Sequence, residues 1–438
     1  MIPLLLLLAV GGLMQAARSF TTDTSVAGTE LAFGFLLLAA YFTAKIVNRF
    51  GLPKLTGYLI SGVLAGEFVL GFVNHEMTET LKVVSDTATA ILALEAGSEL
   101  QLRAIKPLMK TLRGITVFAV IGSMFTIGAA LFVMRPFLPD IFGKLDFVPS
   151  VVVCLAIGTA LSAQSPAVVM AMLSETRAEG PLARTMLASV VVADLTVITI
   201  FSVVLAITGA VIGGNIDVVG TALEVAWELI GSMAFGLVIG IVIGRYLLYV
   251  KGGGAALFAL MVCVVVAEIA PKVHLDVLIV LLTAGIWLRN FSKADATALL
   301  HKFEAAQLPV FLVFFALAGS HLNIYKLAAA IIPVVVIAAT RATSFFVGAR
   351  VACRISNAEP VVAKYAWFGL VPQAGLALAL ASVLRTNFRT SFGEGAATIL
   401  LGVVGFNECV APVILRIMLM RSGEAGKKQG TDFAAGGH

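Results

Sequence analysis

The stretch PLARTMLASVVVADLTVITIFSVVLAITGA, residues 181–210, decides how the rest of the chain is read. Between Arg184 and Asp217 its only charge is Asp194, set in an apolar run long enough to cross a bilayer. A spanning helix needs ~20 apolar residues at about 1.5 Å of rise each. Asp194 comes ten positions after Arg184, roughly 15 Å along the axis and about half of the ~30 Å hydrocarbon layer. An ionisable group at that depth costs several kcal/mol unless it faces water, a partner or a bound ion, so Asp194 is expected to hold a proton or a metal cation.

Composition agrees with a membrane setting. Apolar residues make up 60% of the chain and charged ones 13%, against about a quarter charged in soluble domains, and mean hydropathy is +1.02. The net charge of +5 requires no nucleic acid, because cytoplasmic loops collect Lys and Arg. Cys154, Cys263, Cys353 and Cys409 lie in apolar segments without paired spacing, which argues for packing rather than a metal site or disulfide framework.

Residues 1–28 read as a signal-like segment or an extra helix. Thirteen spans follow, near 29–49, 53–71, 81–99, 112–134, 149–174, 182–210, 219–250, 255–270, 275–290, 306–323, 328–352, 361–384 and 394–420. With a cytoplasmic C-terminus, 21 of the 30 basic residues fall on the cytoplasmic side and eight on the other, Arg341 being within a span. That alternation satisfies the positive-inside rule. The fold class expected is an all-α polytopic membrane protein of two six-helix inverted repeats, 29–210 and 255–420, joined by a linker helix within 211–254 and followed by a cytoplasmic tail, 421–438.

The repeats share a break. PSVVVCLAIGTALSAQSPAVVMAMLSE (149–175) is interrupted by Ser162, Gln164, Ser165 and Pro166, and YAWFGLVPQAGLALALA (365–381) by Pro372, Gln373 and Gly375. Proline removes a backbone donor and clashes one turn back, so each helix should open there. Matched broken helices in two halves point to a midplane ion site, with Ser162, Gln164, Ser165 and Gln373 as neutral ligands beside Asp194. A kink that only shapes packing is the plainer reading of either break alone.

Four stretches carry a resemblance: FGLPKLTGYLISGVLAGEFVLG (50–71), AILALEAGSELQLR (90–103), ALSAQSPAVVMAMLSE (160–175) and LASVVVADLTVI (187–198). In order and spacing the chain resembles the sodium/hydrogen exchanger family of the cation:proton antiporter superfamily, nearest its potassium-efflux branch. The resemblance implies a mobile core of spans four to six and eleven to thirteen that holds the ion, and a scaffold of spans one to three and eight to ten that forms a homodimer. It implies alternating-access exchange of protons for sodium or potassium in a plasma (inner) membrane, with Asp194 as the shared site and no enzymatic activity.

Departures from the family pattern carry expectations of their own. Ala193 stands where a second polar or acidic residue is common, which favours one-for-one exchange. Arg341 stands where the family often has lysine; arginine stays charged, so Arg341 is expected as a fixed counter-charge, with Glu408 as its structural partner or a member of the ion route. Glu95 could line a cytoplasmic funnel, while Asp86, Glu268 and Asp276, near span ends, and His75, His274, His301 and His321 are expected to do nothing specific.

No P-loop, GxGxxG or hydrolase motif occurs, so neither a cofactor nor a fused nucleotide-binding regulatory domain is expected. The expected partners are the cation, the proton and the lipid bilayer. Two rivals use the same departures: a cation uniporter, and a transport-inactive sensor or assembly partner that keeps the fold.

Overall fold

The computed structural model describes residues 2–18, 26–143, 145–212, 220, 223, 226–249, 254–293, 309–320, 325, 328, 330–388 and 391–427. The described residues form helices joined by short turns, with a single isolated bridge between Gly66 and Val73 as their only strand-like pairing. We number the helices α1 (Ile2–Arg18), α2 (Val26–Arg49), α3 (Lys54–Ala65), α4 (Lys82–Glu99), α5 (Leu102–Val133), α6 (Phe147–Leu161), α7 (Pro166–Thr176) and α8 (Pro181–Ile212). After the linker region come α9 (Trp227–Tyr249), α10 (Ala255–Lys272), α11 (Val277–Asn290), α12 (Pro309–Ser320), α13 (Ile331–Ile355), α14 (Pro360–Leu370), α15 (Gly375–Asn387) and α16 (Gly393–Ser422).

Seven of the apolar segments are long enough to cross a membrane, and α14 with α15, bent by 41°, makes an eighth. The helices α3, α11 and α12 are apolar but shorter. Parts of the expected seventh and tenth spans, together with His301 and His321, lie outside the described residues. The N-terminal segment is helical and packs along α2, with Met14 buried.

The second span differs from its expected extent of 53–71. Helix α3 stops at Ala65, and the chain folds back on itself: Gly71 N–H donates to Gly66 O at 2.9 Å and Val73 N–H to Ala65 O at 2.9 Å. Gly71 takes φ +63°, a left-handed conformation open to glycine at little cost, so the apolar run EFVLGFV becomes a tight turn. The fourth span begins ten residues earlier than expected, at Leu102.

Close backbone approaches sort the helices into two groups. A Cβ built at Gly97 of α4 would fall 2.1 Å from the Leu282 carbonyl oxygen of α11, and one at Gly62 of α3 would fall 2.0 Å from Ala316 O of α12. Gly236 of α9 presses on Val280 of α11 in the same way. In the other group, Gly158 of α6 meets α5 at Met124, Gly348 of α13 meets α5 at Phe118, and Gly369 of α14 meets α8 at Met186. Among the described glycines, every interhelical approach under 3.0 Å joins α2–α4 and α9–α12 to one another, or α5–α8 and α13–α16 to one another.

Candidate ion site

Helix α6 ends at Leu161, and residues 162–165 leave helical geometry before α7 begins at Pro166. The residue before a proline is pushed to extended backbone, and Ser165 obeys at φ −132°, ψ 103°. Its Oγ accepts from Val168 N–H at 3.2 Å, capping α7, while Pro166 occupies the first helical turn where its missing N–H costs nothing. The second break follows the same logic. The chain unwinds from Val371 to Ala374, around Pro372, and α15 starts at Gly375.

Each helix stop leaves carbonyls without partners, and one side chain collects them. Arg341, 1% exposed on α13, donates from Nε to Leu161 O at 2.7 Å and from Nη2 to Ala163 O at 2.7 Å. It also donates from Nη1 to Val371 O at 2.5 Å and from Nη2 to Leu370 O at 3.0 Å. The guanidinium therefore bonds both breaks at once. Two helix C-termini, each bearing partial negative charge, make a cation at their crossing favourable.

That geometry corrects the expected ion pairing. Among the described residues no acid lies within ion-pair distance of Arg341, which spends its donors on carbonyls rather than on Asp194 or Glu408. Glu408 is buried on α16, and its Oε1 has no hydrogen-bond partner. Glu95 is likewise enclosed, 1% exposed on α4.

Asp194 lies mid-way along α8, 3% exposed. The backbone of Gln164, in the first break, lies near its carboxyl. Its Oδ1 has no donor, and neither has the buried Oε1 of Gln164, whose Nε2 donates to Ser162 O. The other expected ligands are committed elsewhere: Ser162 Oγ bonds Gly158 O at 2.8 Å and Ser123 Oγ at 2.9 Å, and Ser165 caps α7. Gln373 donates from Nε2 to Leu161 O at 2.9 Å and accepts from Asn407 Nδ2 at 2.6 Å. The chain thus gathers Asp194, Ser162, Gln164, Ser165, Gln373 and Arg341 around one crossing and leaves two oxygens there unsatisfied. Oxygens without donors suit a proton or a hard monovalent cation.

Sequence reasoning missed Asn407, which orients Gln373, and Glu424. The Glu424 carboxylate accepts from Leu182 N–H at 2.8 Å and Ala183 N–H at 2.9 Å, capping the helix that carries Asp194. A mid-span Asn signals the first; nothing in a polar tail signals the second.

The family model described as "Sodium/hydrogen exchanger, transmembrane" matches residues 33–421. The chain belongs to the sodium/hydrogen exchanger family. No curated protein matches the sequence. The fold of this exchanger-family chain is similar to the structure of the sodium proton antiporter MjNhaP1 from Methanocaldococcus jannaschii at pH 8, with a TM-score of 0.63 and 16% identity over 89% of this chain and 97% of that one. An electron-microscopy structure of the same antiporter gives a TM-score of 0.68 and 14% identity over 91% and 98% of the two chains. The sodium/hydrogen exchanger family consists of multi-pass membrane transporters, and the all-helical architecture agrees with it.

Proposed function

We propose that this protein is a secondary transporter that exchanges protons for a monovalent cation, sodium or potassium, by alternating access, with Asp194 holding each in turn. The observation that carries the reading is the Asp194 Oδ1 atom, buried, without a donor and without a cationic side chain beside it. A bare carboxylate in that position is too costly to persist, so a proton or a cation occupies it. Arg341 is held by four carbonyls and does not compete for the site.

The segregation of close helix contacts supports motion of one group against the other. Helices α5–α8 and α13–α16 would move as the ion-holding core, and α2–α4 with α9–α12 would stay as the scaffold. Freed carbonyls are already bonded to Arg341, so the crossing can travel as one unit. We take residues 29–210 and 255–420 as the inverted repeats, the scaffold as a homodimer surface, and the C-terminus as cytoplasmic in a plasma membrane. A single site carboxylate, with Ala193 before it, favours one proton for one cation.

The test is dye-reported proton flux in proteoliposomes under imposed sodium, potassium and lithium gradients. Exchange that vanishes in Asp194→Asn, with the folded protein retained, supports the reading. Cation movement without counter-moving protons would replace it with a uniporter, and flux unchanged in that variant would reject Asp194 as the site.

A further inference from the structure

The first turns of α5 carry a charge pattern that the ion site does not use. Arg103, Lys106, Lys110 and Arg113 stand at i, i+3, i+7 and i+10, a spacing that keeps them on one side of the helix. All four are exposed, and among the described residues none pairs with an acid. Between Arg113 and Arg135 lie residues 114–134, 21 in all and none of them charged. They rise roughly 31 Å, the depth of the ~30 Å hydrocarbon layer. Arg113 therefore marks the boundary with the lipid headgroups, and the three earlier cations stand beyond it.

Beside this stripe a cleft of about 460 Å³ runs between α5 and α8 on one side and α9 and α11 on the other. Arg113 is the only charged residue among those that line it, and the walls below are apolar, with Val117, Leu195 and Met233 among them. Leu195 follows Asp194, mid-way through the layer, so the cleft reaches from the headgroup boundary to the bilayer centre, the depth of one leaflet. Val117 and Met233 are 52% and 47% exposed, which leaves the cleft open on its lipid side. The Thr116 hydroxyl is already spent on Leu112 O at 2.9 Å, so below Arg113 the walls lack the two to four polar partners that a water needs. The volume falls in the range of about 300–1,000 Å³ that takes an organic ligand. It is too small for a helix about 10 Å across.

We propose that this cleft holds one acyl chain of an anionic phospholipid, whose phosphate is bound at the mouth by Arg113 and by Lys110, one turn before it. An apolar slot one leaflet deep takes the chain, and the unpaired cations at its mouth select the charge. Each Lys or Arg beside an anionic headgroup is worth roughly fivefold in binding. Helices α5 and α8 belong to the group assigned as core, and α9 and α11 to the group assigned as scaffold. A chain lodged between them favours the arrangement in which the cleft is open. That consequence rests on the exchange reading given above; the binding does not.

Native mass spectrometry of the full-length protein in detergent counts the lipid retained, with dioleoyl phosphatidylglycerol and dioleoyl phosphatidylcholine as probes. Phosphatidylglycerol is expected to bind at least about fivefold more tightly than phosphatidylcholine, and Lys110→Gln combined with Arg113→Gln to lose about tenfold or more of that affinity. Val117→Trp, which fills the cleft from an exposed position and leaves every cation in place, should lose the lipid as well. These substitutions change exposed side chains only, and a lipid-free thermal melt matching the wild type checks that the fold is kept. Equal retention of the two lipids overturns the proposal, because a non-selective lipid layer would give it. Undiminished retention in either variant overturns it too. Displacement of phosphatidylglycerol by glycerol phosphate would assign the cations to a soluble phosphate and overturn the lipid. Flux surviving in Asp194→Asn would instead remove the exchange reading and leave these counts unchanged, so the two fail separately.

Discussion

Arg341 and Gln373 meet on one atom: the Leu161 carbonyl oxygen accepts from Arg341 Nε at 2.7 Å and from Gln373 Nε2 at 2.9 Å. That oxygen is the last of α6, and its two donors come from α13 and from the second break. The crossing is therefore closed by side chains from the opposite half of the chain, and its geometry depends on a planar group with several donors in fixed directions.

Replacing Arg341 by lysine tests this dependence. An ammonium can carry the charge but cannot reach four carbonyls spread over two breaks. Each charge-assisted bond left unmade costs about 1.5–3 kcal/mol, so Arg341→Lys should unfold several degrees lower in a detergent thermal melt. Arg341→Met, which leaves all four carbonyls bare, should be worse still. Equal melting of wild type and Arg341→Lys would show that charge alone suffices.

Asp194→Asn should behave in the opposite sense. Removing a carboxylate that lacks a donor relieves a desolvation cost, so the variant should melt at or above the wild-type temperature while losing proton–cation exchange. Addition of sodium or potassium should raise the melting temperature of the wild type and not of the variant. A ligand that binds the folded state at 100 times its Kd contributes about 2.7 kcal/mol. A variant that melts lower and remains cation-responsive would contradict the assignment.

The sequence made much of this site legible, for definite reasons. A lone acid inside an apolar run, and a proline next to small polar residues in two matched places, are local features whose cost in a bilayer is known in advance. The partners of Arg341 were not legible, because backbone carbonyls look alike in every sequence; the position of the charge was readable and its destination was not. The early end of α3 was hidden in the same way, since Gly66 and Gly71 sit in a run apolar enough to continue a span.

Glu424 offers a stability prediction away from the crossing. Its carboxylate caps α8 with two hydrogen bonds, and the tail adds two more, Glu179 N–H to Glu424 O at 3.1 Å and Gly426 N–H to Thr176 O at 2.9 Å. Losing a cap costs typically about 0.5–2 kcal/mol, so Glu424→Ala should lower the melting temperature by a few degrees, with Glu424→Gln in between. Gly180→Ala should act similarly, because a Cβ there would fall 2.4 Å from the Glu424 side chain. Hydrogen exchange at residues 181–185 reads the effect directly, and unchanged protection there would refute the cap.

Polar contacts on one side tie the two helix groups together. On the side where α3 starts, Glu175 of α7 accepts from Lys54 N–H at 2.9 Å, and Arg416 of α16 donates to Gly51 O at 3.1 Å and to Asn48 Oδ1 at 3.4 Å. Glu175 and Arg416 belong to the group assigned as core, and Asn48, Gly51 and Lys54 to the group assigned as scaffold, so these bonds must break if one group slides past the other. They are exposed, which limits each to a modest contribution. Glu175→Gln combined with Arg416→Gln should then lower the barrier rather than alter the ion site. The expected result is a turnover rate raised about two- to tenfold, equivalent to roughly 0.4–1.4 kcal/mol of barrier, with KM for the cation changed much less. Should KM shift and turnover stay fixed, these residues would belong to the ion route and not to a latch between moving parts.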